Sequence, residues 1–120
     1  MRVVIPALVI LSLLGCADRP HCDLVKRQNF PSPDNQYVAV VFETCCYDTT
    51  GYYPEVSVLR QHQKLGDFGN LLMGGPGDVF SVVWTGSRNL QVEYHPEGQW
   101  NGYPPATTNM DGITITFRKR

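Results

Sequence analysis

Apolar and polar positions alternate with a period of two in several segments of this chain, and no segment sustains a period near 3.6 residues. The longest alternating run begins at Gln36. Tyr37, Ala39, Val41 and Glu43 fall on one face and Val38, Val40 and Phe42 on the other. Both faces are apolar in the middle, which predicts a central strand covered on both sides. Ser32, Pro33, Asp34 and Asn35 predict a tight turn ahead of it. After a connection hinged at Gly51, Pro54 opens a strand over residues 55–60, where Val56 and Val58 alternate with Glu55 and Ser57. Residues 78–85 predict another strand, 86–89 a hairpin connection, and 90–94 a strand with Leu90, Val92 and Tyr94 inward. A long loop, 96–110, leads to a last strand, 112–118, that buries Ile113, Ile115 and Phe117. Residues 61–77 are rich in glycine and leave 70–73 open between a short strand and one helical turn. The sum predicts an all-β, single small domain, an antiparallel sheet or sandwich of about five to six strands.

The N-terminus lies outside this alternation. Arg2 precedes an apolar run over positions 3–14, broken only by Pro6 and Ser12. The run is shorter than the ~20 apolar residues a membrane-spanning helix needs, and it has the layout of an export signal. It ends in Leu13, Leu14, Gly15 and Cys16, which resembles the lipobox of bacterial lipoproteins, although Leu14 departs from the usual small residue. The resemblance implies a signal peptide over 1–15, cleavage before Cys16 and lipidation of that cysteine. Two acyl chains and an acylated amine would then make the anchor firm, since one chain alone binds only marginally. Ala17, not an aspartate, follows Cys16, which by the same resemblance implies the outer membrane, facing the periplasm, in a Gram-negative host. Residues 16–31 read as a lipid-anchored tether and irregular segment, and 32–120 as the β domain.

Charge narrows the partners. The chain has 10 Lys and Arg against 11 Asp and Glu, so it lacks the basic balance that nucleic-acid binding calls for. Arg118, Lys119 and Arg120 read as a solvated tail.

Ser32-Pro33-Asp34-Asn35-Gln36-Tyr37-Val38-Ala39-Val40-Val41-Phe42-Glu43, then Cys46 and Thr49-Thr50-Gly51, resembles a family of small uncharacterised bacterial lipoproteins. Its pattern is S-P-D-G-x-Y-x-A-x-V-F-E-x-x-C-G-A-T-T-G, followed by a short strand matched here by Val56, Ser57 and Val58. Asn35 replaces the family's glycine, Tyr47 and Asp48 replace Gly-Ala, and Cys45 stands where the family has another residue. The resemblance implies a fold and an envelope location but no activity.

With Cys16 assigned to lipid, Cys22, Cys45 and Cys46 remain. Export favours a disulfide. The resemblance implies that Cys46, at the family's cysteine position, pairs with Cys22. Cys22–Cys45 stays open as an alternative, because adjacent strand residues face opposite ways and the register is not given. A Cys45–Cys46 bond would have poor geometry. His21, Cys22, Cys45 and Cys46 have the donor types of a zinc or copper(I) site, so a metal- or redox-handling lipoprotein is the alternative function, though C-x-x-C spacing is lacking. His21, His62 and His95 stand in no catalytic motif, so no enzymatic activity and no cofactor is expected. The aromatic loops carry the main functional expectation. Tyr52 and Tyr53 follow Tyr47 in one loop, and Trp100 and Tyr103 lie in another, a candidate surface for an envelope protein or glycan.

Overall fold

A computed structural model describes residues 23–45 and 51–120 of the chain. Two four-stranded sheets carry all its regular structure. In the first, β1 (Asp23–Pro31) pairs antiparallel with β2 (Tyr37–Cys45), β2 with β3 (Tyr53–Arg60), and β3 with the two-residue β4 (Leu72–Met73). In the second, β5 (Val79–Gly86) pairs with β6 (Asn89–His95), and β7 (Thr107–Met110) with β8 (Ile113–Lys119), in the order β5-β6-β8-β7.

The turn before β2 shows how the sequence sets this up. Ser32 N–H donates to the Tyr37 carbonyl at 2.8 Å, and Asn35 N–H to the Ser32 carbonyl at 2.9 Å. Ser32 Oγ donates to Asp34 Oδ1 at 2.8 Å and accepts from Tyr37 N–H at 3.1 Å. Asn35 closes the turn with φ of 60°, a left-handed conformation that glycine and asparagine adopt readily.

β2 is covered on both faces, as its two apolar stripes require. Tyr37 and Ala39 join Val56, Val58, Phe80, Leu90, Val92, Ile113 and Ile115 in the core between the sheets. Val38, Val40 and Phe42 pack with Leu59 on the outer face, beneath Leu65 of the loop after β3. Fully burying one of these aliphatic side chains stabilises by ~1.5–3 kcal/mol, so the inter-sheet cluster is the dominant favourable contribution.

Among the described residues the strand count is eight, not five to six. The segment read as an irregular tether is strand β1 from Asp23 onward; it is an edge strand, mostly exposed and without a continuous apolar stripe. β4 resolves the open reading of 70–73 as a short strand, and β7 lies inside the stretch read as a loop. The second sheet is mixed rather than antiparallel, because β6 and β8 run parallel. The chain leaves β6, passes through residues 96–106 and lays down β7 beyond the slot that β8 then fills.

Register and cross-sheet contacts define two ends. One holds Asp23, Cys45, Pro54, Asp78 and His95; the other holds Tyr37, Arg60, Arg88 and Asp111. Cys45 is disulfide-bonded, and so is not the spare thiol that the Cys22–Cys46 pairing leaves it to be. Cys16, His21, Cys22 and Cys46 lie outside the described residues, as do the signal segment and Tyr47.

Candidate functional site

Residues 96–106 connect β6 to β7 at the Cys45 end, and Asp78 at the mouth of β5 organises them. Its Oδ1 accepts from Glu97 N–H at 2.7 Å, and its Oδ2 from Gly75 N–H at 2.7 Å and from Trp100 Nε1–H at 3.1 Å. One carboxylate thus joins the glycine-rich turn before β5 to the loop after β6.

Trp100 is fixed by its rings as well. It stacks on Tyr94 at 5.2 Å and 18°, and on Tyr103 at 5.6 Å and 19°, with Phe80 edge-on at 6.1 Å. Tyr94 and Tyr103 are themselves 6.2 Å apart, so the three near-parallel plates are staggered rather than piled in a column. Lys119 Nζ lies 4.4 Å from the Tyr103 ring centre, a cation–π contact. Such pairs contribute ~0.5–1.5 kcal/mol each beyond their buried area. Trp100 is half-buried against the inter-sheet core, whereas Tyr103 stays 42% exposed.

Across from the stack runs a wall that β3 holds in place. Asn70 imitates a strand residue with its side chain: Nδ2–H donates to the Val58 carbonyl and Oδ1 accepts from Val58 N–H, both at 2.9 Å. Its own N–H donates to Ser57 Oγ at 3.0 Å, and Leu71 N–H to the Val56 carbonyl at 3.1 Å. Glu55, fully buried, accepts from Gly69 N–H at 2.5 Å and from Thr44 Oγ1–H at 2.6 Å. A Cβ at Gly69 would sit 2.7 Å from the Leu72 carbonyl oxygen and 2.8 Å from that of Val56, so only glycine allows this approach. The wall and the stack enclose an open cleft of about 430 Å³ lined by Leu71, Leu72, Met73, Tyr103, Pro104 and Pro105.

The aromatic residues named from sequence separate. Trp100 and Tyr103 come together at the cleft. Tyr53 opens β3 opposite Thr44, Tyr52 is 54% exposed beside it, and neither lines the cleft. Sequence reading missed the opposite wall, Leu71 to Met73, because the hydrogen bonds that place it come from Glu55 and Ser57, which look like outward polar positions of a strand. It also missed Asp78; the signal available was an aspartate directly after the turn Gly74, Gly75, Pro76 and Gly77.

Chemically, the cleft offers apolar and aromatic surface. Among the described residues no group of three or more His, Cys, Asp or Glu side chains is placed to hold a metal ion. His95 Nδ1 is engaged with the Arg120 carbonyl at 2.9 Å, and His62 lies at the opposite end. Comparisons of the chain with known protein families, curated proteins and solved structures return no match.

Proposed function

We propose that this chain is a non-enzymatic, lipid-anchored domain of the bacterial cell envelope, and that its Trp100–Tyr103 cleft binds a protein partner. The cleft carries the reading. Most of its lining residues are apolar or aromatic, with an exposed tyrosine, two prolines and an exposed Met73, beside the polar Asn70 and Thr108. Sugar sites set a stacking ring among several directed polar groups, so this composition favours a protein segment over a glycan. Partner surfaces are enriched in Tyr, Trp and Met.

Envelope location is supported by the lipobox-like end of the signal segment and by a disulfide-bonded Cys45, since such bonds persist in oxidising compartments. With Cys16 lipidated and Cys45–Cys46 geometrically poor, Cys22 is the proposed partner of Cys45. Cys22 directly precedes Asp23, which lies opposite Cys45 in the β1–β2 register. This replaces Cys22–Cys46 as the first choice and leaves Cys46 as the odd thiol. The metal or redox alternative loses support, because a bonded Cys45 offers no thiolate to a metal. The turn at Ser32 to Tyr37 lends physical sense to the proposed lipoprotein family: the position its pattern gives to glycine, Asn35 here, has positive φ.

Trp100 is a poor probe of this proposal because it supports the core, and truncating it would cost ~3 kcal/mol of stability. Tyr103→Ala and Met73→Ser alter the exposed walls instead. With a photo-crosslinking residue at Pro104 in cells of the host, one defined envelope protein should be captured, and either substitution should reduce its yield about tenfold or more. Equal capture by wild type and both variants would refute a partner site here.

A further inference from the structure

At the opposite end of the sandwich two guanidinium groups lie against the Tyr37 ring. Arg88 Cζ is 4.8 Å and Arg60 Cζ 5.9 Å from the ring centre. The Tyr37 hydroxyl donates to Asp111 Oδ2 at 3.1 Å. Arg60 Nη2 pairs with Asp111 at 3.0 Å and Arg88 Nη1 with Asp34 at 2.9 Å. These contacts bridge the sheets, yet each ion pair engages only one nitrogen of its guanidinium, a group with five N–H donors. Between them opens a polar cleft of about 510 Å³, walled by the two arginines with Asn35, Gln36, Gln61 and His62. Those last four side chains form no hydrogen bond with any described residue. Among the described residues, the three non-glycine residues with positive φ, Asn35, His62 and Asp111, all sit at this end. Turns explain Asn35 and Asp111, whose short polar side chains tolerate that conformation; His62, at φ of 73°, is the less expected one.

We propose that this cleft binds an oxyanion, the carboxylate or phosphate group of a larger polar ligand. The ion pairs alone do not account for the arrangement, since exposed pairs contribute only ~0–1 kcal/mol. What distinguishes the site is convergence. Two forks are held in position by a tyrosine face and by aspartates, with their remaining N–H groups unspent, so less side-chain freedom is lost when an anion docks. The four unengaged polar side chains surround that point and can serve the hydroxyl or amide groups of the rest of the ligand. Asp34 and Asp111 cancel the arginine charges, so recognition rests on directed hydrogen bonds rather than long-range attraction, and binding should weaken only modestly with salt. This site is separate from the Trp100–Tyr103 cleft and stands or falls without it.

The test is a titration of the full-length, ¹⁵N-labelled chain in detergent micelles with inorganic phosphate and, separately, with glucuronate. Saturable shifts are expected at the Arg60 and Arg88 side-chain N–H groups and at the Asn35, Gln36 and Gln61 amides. Arg88→Lys, which keeps the charge and loses the fork, should weaken binding about tenfold, or about 1.4 kcal/mol. His62→Ala removes a wall residue that holds neither sheet, and should also weaken binding without disturbing the fold. Stronger binding of phosphate assigns a phosphate-bearing ligand, and stronger binding of glucuronate a carboxylate. Shifts that do not saturate with either probe, or that persist unchanged in both variants, would overturn the proposal.

Discussion

Several residues matter here for what they hold rather than for what they could react with. Asp34 is the clearest electrostatic case. The Ser32 hydroxyl above all holds its carboxyl below the ordinary 3.8; desolvation opposes it, and the Gln36 N–H and the Arg88 guanidinium add to the lowering. A depressed carboxyl means that the folded chain binds fewer protons than the unfolded one over that interval, so stability rises with pH there. Its contribution is present above the unfolded value and is lost as pH falls through the folded one. Asp34→Asn should therefore be less stable than wild type near neutrality, and the gap should close below pH 3.8. Urea denaturation of both chains across that range measures it; a gap constant with pH would contradict the assignment. Glu55 is the buried counterpart. Glu55→Gln can still accept from Gly69 N–H and donate to the Thr44 hydroxyl, and should cost about 1 kcal/mol or less. Glu55→Ala removes both bonds and opens a cavity, for about 2–4 kcal/mol. Denaturation midpoints should separate the two, and hydrogen exchange at Gly69 and Asn70 should accelerate in Glu55→Ala; equal midpoints would mean that the carboxylate holds nothing.

Among the elements, those with period-two apolar faces were legible and those without were not. β2, β3, β5, β6 and β8 follow from their alternation, and the inward sets Leu90, Val92, Tyr94 and Ile113, Ile115, Phe117 are buried as expected. β1 escaped because an exposed edge strand needs no apolar stripe: Lys26, Arg27, Gln28 and Asn29 are all solvent-facing, and its pairing rests on backbone hydrogen bonds to β2. β4 and β7 are too short to show a period. The parallel β6–β8 pairing was hidden for a different reason, since alternation reports faces and not strand direction. Half of the candidate cleft was visible as aromatic residues in a Gly, Asn and Pro loop. Its other half depends on tertiary hydrogen bonds from Asn70, which no local pattern announces.

For the molecule as a whole, the two ends differ in character. Asp23 marks the end that carries Cys45 and the Trp100–Tyr103 cleft. A proposed anchor at Cys16 is seven residues away, which at ~3.5 Å each limits that end to within about 25 Å of the lipid surface. The arginine-lined end is separated from it by the length of β1, about 30 Å at ~3.3 Å per residue. A membrane-tethered domain would thus keep its apolar partner cleft at the tethered end and its proposed anion-binding face at the end opposite. Everything in this arrangement depends on the tether. Intact mass of the native protein extracted from host membranes, under non-reducing conditions, tests it most directly. The expected species is a chain beginning at Cys16 that carries diacylglycerol and an acylated amine, and that is two hydrogens lighter than its fully reduced form. A mass matching an unlipidated chain, cleaved or not, would contradict it.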